Sequence, residues 1–174
     1  MVLAAARYRQ VVRDKTALYG ADDPRTLGSA YGLAQVMAGQ GAIDEAIHWM
    51  EKVLSGRRRM SGDDSLDTVD ALNELGMLRL LRGDLDVAQS LLSEGLAQAR
   101  RVAPDSADVA RLANNLGVLH EMRGDIAAAV PHYRNSIRIR HTLFGPGNAN
   151  SLRAEHNHCR AIGAGNPGHE ARAC

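Results

Sequence analysis

Apolar positions in this chain recur with a short helical step and again with a much longer one. Ala30, Leu33, Ala34 and Met37, then Ile43, Ala46, Ile47, Met50 and Leu54, follow the i, i+3, i+4, i+7 rule that gathers side chains on one face of an α-helix. The whole pattern then returns. Leu33, Leu75, Leu116 and His158 stand 42, 41 and 42 residues apart, with Gly41, Gly83 and Gly124 in step. Ala4, Ala46, Ala88 and Ala129 hold one further column, Tyr8, Met50, Leu92 and Tyr133 a second, and Val12, Leu54, Leu96 and Ile137 a third. Agreement in several columns at once identifies a tandem repeat of supersecondary units, none of which buries its apolar face alone. Function is therefore expected on the stacked surface.

Each period predicts two helices. A Gly closes the first of them in Gly39-Gln40-Gly41-Ala42, Arg82-Gly83-Asp84 and Arg123-Gly124-Asp125, because Gly accepts the left-handed conformation of a tight C-cap. Turns that short make the two helices antiparallel. Asp23-Pro24, Asp64-Ser65, Asp105-Ser106 and Asn148 supply N-caps for the next helix, with Pro24 tolerated at its first position. The segments read as a lone second helix over 2–18, repeats over 25–60, 66–102 and 108–143, a capping helix over 149–161, and a flexible tail over 163–174. A heptad coiled coil also fits a period of 42. It does not fit a Gly and cap residues at the same place in every period, at about 1 kcal/mol for each Gly inside a helix.

Composition adds limits. The chain has 174 residues, enough for one domain or one compact array, and its net charge of +1 gives no overall field to attract nucleic acid or an anionic membrane. Aromatics are only 3%, too few for base stacking, so nucleic acid is not the expected partner. Cys159 and Cys174 show neither CxxC spacing nor the density of a disulfide-stapled domain, which makes a reducing, cytoplasmic setting the default. No stretch reads as a secretory leader or a membrane span.

Asn114-Asn115-Leu116-Gly117-Val118-Leu119-His120-Glu121-Met122-Arg123-Gly124-Asp125-Ile126, followed by Ala129, Tyr133 and Ile137, resembles a tetratricopeptide repeat. The longer period and linkers such as Leu18-Tyr19-Gly20-Ala21-Asp22-Asp23-Pro24 and Phe144-Gly145-Pro146-Gly147-Asn148 are similar to the kinesin-light-chain-like subclass, over residues 3–160. The resemblance implies an all-α fold, a right-handed α-solenoid of antiparallel helix pairs. Some columns depart from the family pattern. After the small residues Ala34, Gly76 and Gly117, the expected aromatic is replaced by Met37, Arg79 and His120, which implies looser or wetter packing. His158 takes the place of the motif Leu beside Glu155, His156 and Asn157, so the last helix reads as a polar cap. At the other end Ala4, Tyr8, Val11 and Val12 form a second helix without its first. Either the helix packs alone or belongs to a longer chain, or its face serves self-association. The motor-adaptor function of kinesin light chains does not carry over, since no heptad segment is present.

The resemblance also implies a concave groove, lined by the first helix of each repeat, that holds a peptide or helix from a partner. Steps of three and four residues place Gly28, Tyr31, Gln35 and Ala38 on that face, then Asp70, Asn73, Met77 and Leu80, then Arg111, Asn114, Val118 and Glu121. The last helix adds Arg153, His156 and Arg160. Asn can bind a peptide backbone and Arg a carboxylate, so the expected ligand is an extended peptide with acidic side chains or a free carboxylate near Arg111 and Arg153. A solvated polar helix face is the competing reading.

Other features favour ordinary structural roles. Lys15, Arg57-Arg58-Arg59, Arg100-Arg101 and Arg138 with Arg140 lie near the ends of second helices, where cations complement the helix dipole and, for every cluster but the last, Asp residues that follow compensate them. His156 and His158 point to opposite sides of their helix, so Glu155, His156 and Cys159 do not assemble a metal site. No nucleophile with its base, phosphate loop or carboxylate pair is found, so neither catalysis nor a cofactor is expected. The two Arg-Gly-Asp triplets are read as turns, and Trp49 as inter-repeat packing. The expected function is a noncatalytic scaffold or adaptor. The alternatives are a regulatory sensor module whose groove takes a small signalling peptide or an intramolecular segment, and a solenoid that contributes residues to an enzyme complex.

Overall fold

The computed structural model describes residues 2–165. These form eight α-helices and no strand: α1 Val2–Tyr19, α2 Pro24–Gly39, α3 Ile43–Ser61, α4 Leu66–Arg82, α5 Leu85–Val102, α6 Ala107–Met122, α7 Ile126–Phe144 and α8 Ala149–Gly165. α8 runs through residues 163–165, which had been expected to begin the tail; the rest of that tail lies outside the described residues. The helices fall into two compact units, Met1–Leu91 and Leu92–Cys174, with the boundary inside α5.

The local signals act as their chemistry requires. Asp23 caps α2 by accepting from the Arg25 backbone N–H, Ser65 caps α4 by accepting from Thr68, and Ser106 caps α6 by accepting from Val109. Asn148 Oδ1 accepts from the Asn150 backbone N–H at 2.9 Å at the start of α8. Gly83 ends α4 at φ +91°, a left-handed conformation in which a side chain would be strained. The Arg-Gly-Asp triplets are turns. Asp84 is ion-paired to Arg79 at 2.8 Å, and Asp125 caps α7 by accepting from Ala128.

In the first unit α1 packs on α2, α2 on α3 and α3 on α4. Its core joins Leu33 and Met37 of α2 to Met50 and Val53 of α3 and Leu72 of α4, with Ala5 and Val12 reaching in from α1. Met37 is 1% exposed, so the column expected to pack loosely is here fully core, a thioether filling the space an aromatic ring would take. In the second unit α6 packs on α7, α7 on α8, and α8 also meets α6. Tyr133 is buried there with Ala129 and Ala161. A Cβ added to Gly117 would lie 2.6 Å from the Tyr133 ring, so Gly117 on α6 is what allows that ring its place.

A repeated long-range contact joins consecutive pairs. Lys15, Arg57 and Arg140 occupy one column, and each donates to a first-turn backbone carbonyl of the helix that follows: Lys15 Nζ to Arg25 O at 3.1 Å, Arg57 Nη1 to Asp67 O at 2.7 Å, Arg140 Nη1 to Asn150 O at 3.1 Å. The intervening member of the column is Ala99, which has no donor to offer. These cations therefore link helices as well as facing their own helix dipoles.

Candidate functional site

In the first unit the expected binding residues on α2 and α4 are drawn together by a residue from α3. The Arg57 guanidinium carbon lies 4.8 Å from the centroid of the Tyr31 ring, and its Nη1 is 3.3 Å from Asp70 Oδ2. Tyr31 and Asp70 are half-buried around this cation. Gln35 is exposed and Met77 half-buried. Asn73 is only 1% exposed, with its amide donating to Glu74 Oε1 at 3.1 Å, and Leu80 is 2% exposed, so neither presents a surface to a ligand. The reason is the extent of packing: nine of the 17 residues of α4 are buried, which leaves a stripe narrower than helical spacing suggests.

In the second unit Arg111, Asn114 and Val118 on α6 are half-buried, while Arg153 and His156 on α8 are exposed. Asn157 Nδ2 donates to Asn114 Oδ1 at 3.0 Å, which ties the two amides to each other. Glu121 is drawn away from a ligand role: its Oε2 accepts from Tyr133 OH at 2.7 Å and from Arg160 Nη2 at 3.1 Å. Burial first, then the Glu121 carboxylate, pushes the Tyr133 hydroxyl pKa well above its usual value, so the phenol stays a donor. Val118 packs against the Tyr133 cluster.

The residue that sequence reasoning placed elsewhere is Arg140. It is 6% exposed, and its Nε donates to Ser136 Oγ at 3.1 Å. Desolvation lowers its pKa, and the positive charges of Arg153 and Arg111 lower it further. Among the described residues Arg140 has no carboxylate partner, whereas Arg111 pairs with Asp108 at 3.1 Å. The positive charges of Arg111 on α6 and Arg153 on α8 thus both act on the buried Arg140 of α7. Sequence spacing does relate Arg111 to Arg153, but burial of Arg140 beside them leaves no mark in the periodicity.

Most of the other arginines are compensated where they stand. Arg58 pairs with Asp63 at 3.2 Å, Arg59 with Asp22 at 2.5 Å and Arg138 with Asp105 at 2.7 Å, so the helix-end clusters do not make a continuous cationic stripe within either unit. Glu155 is bonded to His141, and no group of three potential metal ligands occurs among the described residues. Cys159 is not a free thiol. No described helix is long and apolar enough to cross a membrane. On α1 Ala5 and Val12 are covered by packing, while Tyr8 and Val11 remain exposed.

Comparison with known proteins fits this geometry. One family model described as Tetratricopeptide repeat matches residues 67–142, and a second of the same description matches residues 26–67. The chain belongs to the tetratricopeptide repeat family. Among solved structures, BtubC (BKLC) from P. vanneervenii matches 90% of this tetratricopeptide chain at 24% identity with a TM-score of 0.79. The chain spans 63% of the length of that protein. Two structures of the Podosopora anserina putative kinesin light chain nearly identical TPR-like repeats match 98% of it at 19% identity, with TM-scores of 0.83 and 0.80, each covered over 81% of its length. At such identities the likeness is one of fold, an all-α tetratricopeptide α-solenoid. No curated protein matches the sequence.

Proposed function

We propose that this tetratricopeptide protein is a noncatalytic interaction module that holds an acidic segment of a partner protein against the α6 and α8 face of its second unit. Repeats of this family generally mediate protein–protein interaction. The observation that carries the finer reading is Arg140, a buried cation on which the positive charges of Arg111 and Arg153 act. Like charges gathered where water is partly excluded repel one another, and an incoming carboxylate relieves that repulsion while it accepts charge-assisted hydrogen bonds. Arg153 is the exposed point of contact, Arg111 the half-buried one, and His156 and Val118 border them. Asn114 positions α8 through Asn157 and meets the peptide only secondarily.

The test is fluorescence anisotropy with labelled decapeptides that alternate Glu and Ala, compared with the same peptides carrying Gln for Glu. The Glu peptide is expected to bind the wild-type chain and to lose at least about tenfold in affinity with Arg153→Glu, the equivalent of one charge pair of about 1.4 kcal/mol. Equal binding of the Glu and Gln peptides, or an Arg153→Glu variant that binds like wild type, would remove this assignment.

A further inference from the structure

The first unit contains a cleft of about 650 Å³ that none of the expected binding residues lines. Its walls are Val12 and Ala17 of α1, Leu27 and Ala30 of α2, and Trp49 of α3. Small residues line it where the next repeat carries larger ones: Ala17 is followed in its column by Arg59, and Ala30 by Leu72. A volume of this size, apolar with a few polar groups, is typical of a small-molecule site.

Thr26 also lines this cleft. It is 2% exposed, and its hydroxyl has no hydrogen-bond partner. The same column in two other repeats shows what is missing. Thr68 Oγ1 donates to Gly62 O at 2.8 Å, and Ser151 Oγ donates to Gly145 O at 2.8 Å, in each case the carbonyl six residues earlier. Thr26 makes no such bond, so a buried donor is left to a guest in the cleft.

Charge at the cleft favours an anion. Arg13, Lys52 and Arg59 line it together with Asp22. Asp22 neutralises Arg59 through both carboxylate oxygens, at 2.8 Å from Nε and 2.5 Å from Nη2. Among the described residues Arg13 and Lys52 have no carboxylate partner, and the Lys52 ammonium sits 4.7 Å over the Trp49 ring.

We propose that this cleft binds a medium-chain aliphatic monocarboxylate, its chain lying against Val12, Leu27, Ala30 and Trp49 and its carboxylate accepting from Thr26 while Arg13 and Lys52 neutralise it. The proposal is independent of the acidic-peptide face, which lies in the other unit, so failure of either leaves the other standing.

Trp49 is the only tryptophan in the chain, so its emission reports on this cleft directly. The intact protein is titrated with decanoate and, as a neutral control of equal length, with 1-decanol. Decanoate is expected to produce a saturable change, with 1-decanol at least tenfold weaker. Ala30→Leu, which installs the residue of the next repeat, should abolish the decanoate response. Thr26→Val should weaken decanoate about tenfold and leave 1-decanol unchanged. Circular dichroism establishes that each variant is folded; if Ala30→Leu is not, Lys52→Gln, on the exposed rim, replaces it and is expected to weaken decanoate alone. Absence of a saturable change, equal affinity for decanoate and 1-decanol, or wild-type binding by the folded variants would overturn the proposal.

Discussion

Asn157 on α8 donates its side-chain amide to Asn114 Oδ1 on α6 at 3.0 Å, so two residues of a kind that often meets a ligand are instead bonded to each other. The pair holds the last helix against the first helix of the preceding repeat. Replacing both with Ala should show a coupling energy of about 0.5–1.5 kcal/mol in a double-mutant cycle of urea unfolding, the worth of one neutral hydrogen bond. Strictly additive single variants would mean that the bond contributes nothing to docking α8.

Two glycines separate packing from helix propensity. Gly117→Ala would place a methyl 2.6 Å from the buried Tyr133 ring, and overpacking of this kind is expected to cost about 1–3 kcal/mol. Gly28→Ala, inside α2 with nothing within 4 Å of an added Cβ, should stabilise by about 0.5–1 kcal/mol. Urea midpoints that move the same way for both variants would contradict the close approach at Tyr133.

The eight helices and most of their caps were legible because they rest on local rules. An apolar column needs only the helical step, Ser65 and Ser106 need only the next turn, and Gly83 needs only its own φ. The chemistry was less legible because it depends on which side chains meet across helices. Arg57, Arg59 and Arg140 stand at similar places near the ends of their helices. Yet the first lies over Tyr31, the second pairs with Asp22, and the third is buried where two further positive charges act on it. Asn73 lies on the expected binding face by spacing and is buried by how far packing extends around α4. The cleft beside Trp49 arises from side chains too small to fill it, and the shortfall shows only when one repeat is compared with the next.

Arg57 and Arg140 should respond unequally to loss of charge. Arg57→Met gives up the Asp67 carbonyl, the Asp70 carboxylate and the Tyr31 face, and is expected to cost about 1.5–3 kcal/mol. Arg140→Met gives up bonds to Ser136 and Asn150 but also removes a desolvated cation from beside Arg153 and Arg111. Apolar replacement of such a group is often neutral or stabilising, so Arg140→Met should lie within about 1 kcal/mol of wild type. Calorimetric melting of the two variants decides this; a larger loss at Arg140 than at Arg57 would mean that repulsion there is unimportant.

Stability should fall in mild acid. His132 and His158 both have pKa values below the ordinary 6.5, chiefly through desolvation, with His120 and Arg100 adding to the effect at His132 and Arg134 at His158. His120 stacks on His132 with ring centroids 5.4 Å apart. Well above pH 6.5 both imidazoles are neutral folded or unfolded and contribute no pH dependence. As pH drops below that value the unfolded chain takes up protons that the folded one resists, so stability declines until the depressed folded pKa values are passed. Asp23, held at about 2 by Arg25, titrates outside this window. Urea midpoints between about pH 7.5 and pH 5.5 should fall in wild type and fall less in His132→Gln. Parallel curves for the two proteins would assign the loss to other groups.

The position of a bound carboxylate tests the central claim most directly. A crystal structure of the protein with a Glu-containing peptide should place a peptide carboxylate within about 4 Å of the Arg153, Arg111 or Arg140 guanidinium, the reach of an ion pair. A peptide whose carboxylates all lie away from these three arginines would contradict the account.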